Sequence, residues 1–536
     1  MPSETTRKQP SKEPPASGSP AWGVVGLVLK AIWIAFVITT PVLGAWVASS
    51  LAAYANGPVA LAAASALLAF PVLPLLWEYA SERRRRRNKA AKPHILTFTD
   101  RVVLRTLAIN LLFLGLLVGT QPKTAFAALS TRGDWMLDGS RGATAQEVRG
   151  RLFWAADRLE WLYVAFHDNP FDEKDDSPSP VPTGSAAPTT SSQPPAPVPT
   201  ERPSPVPSVT DKPSQDKPSQ DKPSQDKPSQ EPPSSGTPSA GAGFASTAWP
   251  SAAPSALHPI VAGMPKDAEQ SIATVARYIA EREADPAGRF RAAHDWVADR
   301  IAYDAPALAA GRYPPQDAET VFRTRLAVCA GYSKLLTALG RALGLEVVYV
   351  VGDARTSGDS QTGESHAWSA VRLGDRYHLV DATWNSGFVS GTTFTKGYRT
   401  DYLFTPPEVF GTNHFPDDAK WQLRDRPISR GDFFRQAMMT PRFHAEGREL
   451  LSPLRSQVTV SGPFTAEVKS RSTLYTLATW SAAGAEERNR CTVEDGPTTR
   501  VTCDLPGKGR YLVRLFSSPQ QYGTYGYIGQ FEANRE

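Results

Sequence analysis

A thiol, an imidazole and a carboxylate stand in chain order at Cys329, His366 and Asp381. Cys329 lies in Ala327-Val328-Cys329-Ala330-Gly331-Tyr332, just ahead of 333–343, where leucines at 335, 336, 339 and 343 draw a helical stripe that Gly344 ends. The thiol is therefore predicted at or just before the first turn of a buried helix. Unpaired backbone N–H groups and the helix dipole favour a thiolate there. Taken alone, a free cysteine reads more readily as a small core residue.

The other two groups come from one predicted β-hairpin. His366–Leu373 and Tyr377–Trp384 each alternate like a strand, and Gly374-Asp375 between them is a turn signal. Closing the hairpin about that pair sets Trp368 opposite Asp381 and makes His366 the diagonal neighbour of Asp381 on the same face. A slip of one residue would send them to opposite faces. In this register the imidazole takes the thiol proton, and the carboxylate orients the ring and stabilises its cation. The thiolate then attacks a carboxamide carbon. The same hairpin puts Trp368 and Trp384 on opposite faces, as packing residues. Tyr303, in Ile301-Ala302-Tyr303-Asp304, is the candidate side-chain donor to an oxyanion, beside the backbone N–H of Cys329. As a plain core tyrosine it reads equally well. His414 is expected to be structural, in a loop that ends the domain. No His-x3-His or Cys-x2-Cys spacing accompanies these residues, so neither a metal nor a cofactor is expected.

Val-Cys-Ala-Gly-Tyr at 328–332, His-Ala-Trp at 366–368 and Asp-Ala-Thr-Trp at 381–384 resemble the core motifs of the transglutaminase-like superfamily. They are most similar to its bacterial branch akin to the kyphoscoliosis peptidase. The resemblance extends through Tyr402–Glu408, His414–Asp418 and Trp421–Leu423, and covers about residues 260–430. It implies a papain-like α+β core with Cys329 as nucleophile, His366 as base and Asp381 as orienting acid. It also implies a cysteine peptidase or an amide-transferring enzyme acting on protein or peptide substrates. Some relatives have lost the cysteine and serve as binding modules, so a non-catalytic adaptor at the envelope or cytoskeleton is the second reading.

Helices are predicted over 267–301, with Ile272, Val275, Ala276 and Ile279 on one face and Phe290, Ala293, Trp296, Val297 and Ile301 on another. Val347–Val351 is β-branched and reads as a buried strand. Beyond this block, 440–536 shows seven short alternating runs, the pattern of an immunoglobulin-like β-sandwich. Cys491 and Cys503 flank the turn Asp495-Gly496-Pro497 symmetrically and are disulfide candidates, with a pair of reduced thiols as the competing state.

The chain is too long, at 536 residues, for one ordinary domain. Its formal charge of +5 is uneven: residues 1–105 hold 13 Lys/Arg against 5 Asp/Glu, so the other 431 net −3. That argues against nucleic acid as the main partner of the folded bulk. Ala31–Tyr54 and Pro58–Trp77 are apolar runs of about 20 residues, enough to cross a bilayer, joined by an Ala55-Asn56-Gly57 turn. Arg83–Arg87, with Lys89 and Lys92, marks the cytoplasmic side. A third run, Val102–Gly119, carries Arg105 and Asn110. If it crosses, the rest of the chain is extracytoplasmic. Ala125-Phe126-Ala127 also resembles a small-residue cleavage site after an internal signal segment. Residues 144–166 read as one amphipathic helix with Thr144 and Glu147 at capping-box spacing, lying on the membrane or packed on the membrane helices. Of 48 prolines, 20 lie between Pro178 and Pro254, and Asp-Lys-Pro-Ser-Gln repeats four times over 211–230, which predicts an extended, solvated spacer.

The expected fold class is thus multidomain: a disordered tail (1–20), a membrane region with three transmembrane α-helices (21–130) and a juxtamembrane amphipathic helix (131–169). A disordered Pro/Ser-rich linker (170–256) follows, then an α+β papain-like transglutaminase core (257–435) and an all-β immunoglobulin-like sandwich (440–536). The expected partners are peptide or protein substrates and the lipid bilayer, and the expected place is the cell membrane, as a multi-pass protein.

Overall fold

The computed structural model describes residues 20–55, 57, 59–87, 95–140, 142–172, 256–355, 362–470 and 474–536. The proline-rich repeats, Asn56, Lys89 and Lys92 lie outside the described residues.

Three N-terminal helices, Leu27–Tyr54, Ala60–Arg87 and Phe98–Thr120, are long and apolar enough to cross a membrane. The polar residues of the third helix are met by the second: Arg101 pairs with Glu78 at 2.7 Å, Arg105 also pairs with Glu78, and the Asn110 amide donates to the Ala69 carbonyl. Partnered in this way, they do not interrupt the apolar run.

The helix Pro122–Arg132 follows and is buried: Phe126 is fully enclosed by Tyr163, Phe415, Phe433 and Phe434. Cleavage at Ala125-Phe126-Ala127 would therefore cut a buried helix. Residues 144–166 form two helices, Ala143–Asp157 and Glu160–Ala165, not one. The first begins at Gly142 with no side-chain cap, so Thr144 and Glu147 make no capping box. Both helices belong to the same compact unit as the core, with Asp157 facing Arg435 at 3.4 Å.

The core places Ile272–Ala280, Pro286–Arg300 and Cys329–Ala342 against an antiparallel sheet of five strands. Its order is Leu403–Thr405, Arg376–Val380, Glu364–Leu373, Val347–Ala354, His414–Pro416. The expected apolar faces fill it: Val275, Ile279, Phe290, Trp296, Leu335, Leu336 and Leu339 are all buried in one cluster. Burial of side chains of this size, at roughly 1.5–3 kcal/mol each, is what holds helices to sheet.

The C-terminal region is β-rich. A sheet of six strands and one of four share a core that includes Phe464, Val468, Ala478, Val513 and Phe531. Cys491 and Cys503 flank the paired strands Thr492–Glu494 and Thr498–Cys503, and the structure joins them as a disulfide.

Candidate active site

Cys329 is the first residue of its helix, after Val328 in extended conformation. Its N–H therefore has no acceptor within the helix. Two contacts fix this helix start. The Gln316 side chain accepts from the Val328 N–H at 3.0 Å. One turn after the cysteine, the Ser333 hydroxyl donates to the Trp368 carbonyl at 2.5 Å and meets the Ser369 hydroxyl at 2.8 Å. Helix and strand are thus tied together two residues from His366.

The hairpin has the expected register. Ser369 pairs with Val380 and Leu373 with Arg376, which brings Trp368 level with Asp381. His366 Nε2 lies 2.8 Å from Asp381 Oδ2. The strand ends at Val380, however, and Asp381 caps a short helix, Ala382–Ser386. The expectation that the strand runs on to Trp384 is corrected. Trp384 turns back into the cluster that holds Trp368, so the two tryptophans do not lie on opposite faces. The reason is local: Asp381 Oδ1 accepts from the N–H groups of Thr383 at 2.8 Å and Trp384 at 3.1 Å, which bends the backbone.

Asp381 is fully buried and receives four donors, two on each oxygen. The fourth is His414 Nε2, 3.1 Å from Oδ2. His414 sits on a sheet strand, not in the expected loop. Burial pushes its pKa down to about 4, so it is neutral, and with Nε2 protonated it donates to the carboxylate. The sequence signal was present, since His414 begins the motif His414–Asp418, but nothing in its spacing tied it to Asp381.

Burial alone would lower the pKa of His366; the charges of Asp381 and Cys329 and hydrogen bonds to both outweigh it and raise it to about 10. With Nε2 on the carboxylate, Nδ1 is the nitrogen that serves the thiol. Burial would raise the pKa of Asp381, but the two histidines hold it well below the usual carboxylate range. The arrangement can therefore keep a cationic ring between a sulfur and a fixed carboxylate.

Tyr303 stands beside this set. Its short strand pairs with Leu326–Ala327, Tyr303 opposite Ala327, two residues before the cysteine. Burial, then the nearby charges of Cys329 and Asp381, raise its phenol pKa, so it remains a donor at neutral pH.

Ligand atoms of His366, Asp381 and His414 lie close enough together to hold an ion. Yet the His366–Asp381 separation of 2.8 Å is that of a hydrogen bond. Tetrahedral zinc, with bonds of ~2.0–2.1 Å, would set its ligands about 3.3 Å apart. A second such group, His167, Asp353 and Asp417, already carries the Arg430 guanidinium, which pairs with both carboxylates.

Residues 273–382 match the family model of the transglutaminase-like superfamily, so the chain carries a transglutaminase-like core. All three groups of the site fall inside the match.

Kyphoscoliosis peptidase of Mus musculus is 33% identical over 250 residues, which is 44% of this chain and 37% of that protein. The Homo sapiens protein of the same name is 35% identical over 191 residues, 34% of this chain and 29% of that one. The chain thus spans about a third of the length of these relatives. A solved structure described as a crystal structure of a TGase is 21% identical, covers 26% of this chain and 36% of that one, and has a TM-score of 0.19, too low for comparing folds.

Proposed function

We propose that this chain is a membrane-anchored thiol enzyme that acts on protein or peptide amide bonds. Cys329 is its nucleophile, His366 its base and Asp381 its orienting acid. The observation that carries the reading is the His366 ring held at 2.8 Å by a fully buried carboxylate while hydrogen-bonded to the thiol. His366 holds the thiol proton as an imidazolium, and the sulfur attacks the amide carbon. The Cys329 N–H and the Tyr303 hydroxyl receive the developing oxyanion. His366 then protonates the departing amine, leaving a thioester. Water or a second amine attacks that thioester, and the sulfur leaves as thiolate.

The three apolar helices anchor the enzyme, with the Arg83–Arg87 end in the cytoplasm and the core outside. The proline-rich segment is a spacer, and the C-terminal region is an immunoglobulin-like sandwich. A second reading, an adaptor without turnover, is favoured by one observation: Cys329 is only 1% exposed.

The test incubates the full chain in detergent micelles with a glutamine-containing peptide, with and without a labelled amine, and reads the products by mass spectrometry. Labelled peptide means transfer, cleaved peptide means proteolysis, and a mass gain of about 1 Da means deamidation; each must vanish in Cys329→Ala. Loss of none of them in that variant, or no product across a broad peptide panel, contradicts the enzyme.

A further inference from the structure

A nucleophile that is 1% exposed cannot reach a protein substrate until something moves. Cys329 belongs to a buried cluster with Val328, Ala330, Ala367 and one residue from far outside the core, Phe171. Every other member of that cluster lies between Tyr303 and Ala367. Phe171 is 6% exposed, although it lies in a turn and not in a helix or strand. Its ring meets Tyr313 at 5.3 Å between centroids, and Tyr313 in turn is close enough to the thiol for the charge of Cys329 to raise its pKa, after burial. The phenylalanine therefore sits beside the reacting sulfur, across one tyrosine.

The backbone around Phe171 is a turn, closed by the Asp172 N–H on the Asn169 carbonyl at 3.0 Å, and it is fastened to the core. The Phe171 carbonyl accepts from the Tyr349 hydroxyl at 2.8 Å. Its N–H donates to Asn169 Oδ1 at 3.1 Å, and the Asn169 amide donates to the Gly352 carbonyl at 3.1 Å. Tyr349 and Gly352 both belong to the strand Val347–Ala354, which pairs with the strand that carries His366. An aromatic side chain buried in a pocket, with hydrogen bonds that fix the backbone beside it, is how a side-chain subsite anchors a peptide.

We propose that the pocket holding Phe171 is a substrate subsite for a large apolar or aromatic side chain, and that the chain's own residues 169–171 fill it and cover Cys329. This rests on the enzyme reading above and adds to it both a specificity and a gate. A peptide substrate must displace Phe171 before the sulfur is reached, so release of the strap sets the activity.

The experiment follows alkylation of Cys329 by iodoacetamide at pH 7 in the full chain, by intact mass. Cys491 and Cys503 are joined and Cys329 is free, so one adduct reports one site. Phe171→Ala is expected to label at least about tenfold faster than wild type, since local opening no longer works against burial of the ring. Tyr349→Phe keeps the ring, removes the hydroxyl that bonds the Phe171 carbonyl, and is expected to label at an intermediate rate. An acetylated, amidated Asn-Pro-Phe-Asp peptide, copying residues 169–172, should slow labelling of Phe171→Ala, and the same peptide with alanine for phenylalanine should not.

Equal labelling rates in wild type and both variants, or equal slowing by both peptides, overturns the proposal. Faster labelling of Phe171→Ala with no amide turnover leaves the covered subsite standing and removes the enzyme. Turnover of large peptides by wild type at the rate of Phe171→Ala does the reverse.

Discussion

Two three-membered histidine–carboxylate clusters lie among the described residues, and they are built to opposite charge balances. In one, a single carboxylate, Asp381, serves two imidazoles, His366 and His414. In the other, two carboxylates, Asp353 and Asp417, face one imidazole, His167, at 3.6 and 3.4 Å, and share the guanidinium of Arg430. The second cluster holds a permanent cation, the Arg430 guanidinium, against its carboxylates. The first has none, so only a proton on His366 can balance Asp381, and that proton is the one chemistry can use. The same residue types thus make a reactive site in one place and a clamp in the other. The clamp joins the helix Glu160–Ala165 and His167 to the core: Arg430 is 2% exposed and lies over the Tyr163 ring at 4.7 Å, and the Tyr163 hydroxyl donates to Asp353 at 3.3 Å.

The comparison breaks most sharply at the two carboxylates. Asp381→Asn keeps the shape of the site but removes the charge that holds the His366 proton. Amide turnover should fall on the order of 10³- to 10⁴-fold. Asp353→Asn should leave turnover within a factor of about three, because Asp417 still balances Arg430. Equal losses from the two substitutions would erase the distinction between site and clamp.

Removing the cation inverts the pattern. Arg430→Met leaves the buried Asp353 facing Asp417 without the guanidinium between them, and should cost about 3–5 kcal/mol in urea unfolding of the core. Adding Asp353→Asn to it should recover most of that loss. If the double variant is no more stable than the single one, the clamp is not electrostatic.

His414→Gln tests the second imidazole. It removes one hydrogen bond to a charged group, worth roughly 1.5–3 kcal/mol, so turnover should drop about 10- to 100-fold while binding of substrate is kept. A rise in KM with kcat unchanged would place His414 in binding instead.

The smallest expected effect is in pH. His366 has its pKa raised to about 10, so its contribution to stability is complete below the unfolded histidine value of 6.5 and is lost as pH rises through about 10. Asp381 has its pKa lowered from 3.8, so its contribution is present above that value and is lost as pH falls through the folded one. Between pH 7 and 10 the unfolding midpoint of wild type should therefore fall more steeply than that of His366→Gln. Parallel slopes would show that the ring carries no bound proton.

The reactive cluster was legible because its parts lie on local patterns. Hairpin alternation and a Gly-Asp turn set His366 against Asp381, and a leucine stripe with a terminal glycine set the helix that begins at Cys329. The bend at Asp381 was missed because Asp-Ala-Thr-Trp reads as strand by alternation, while its capping contacts are made only once the aspartate is buried. The clamp and the Phe171 contact were not legible at all. Tyr163 is 190 residues from Asp353 along the chain, and Tyr349 is 178 from Phe171. No periodicity carries information over such a distance, and the composition of 170–256 pointed to a solvated spacer beginning just where Phe171 turns into the core.

The central claim is that sulfur, imidazole and carboxylate act as one proton relay on an amide. Its most direct test is intact-mass trapping of the full-length Phe171→Ala chain, acid-quenched during turnover of a glutamine peptide. A thioester adduct on Cys329, of the peptide mass less ammonia or less the cleaved fragment, is predicted. It should form far more slowly in Asp381→Asn and be absent in Cys329→Ala. Product that accumulates with no adduct on Cys329, or that persists in Cys329→Ala, would contradict the account.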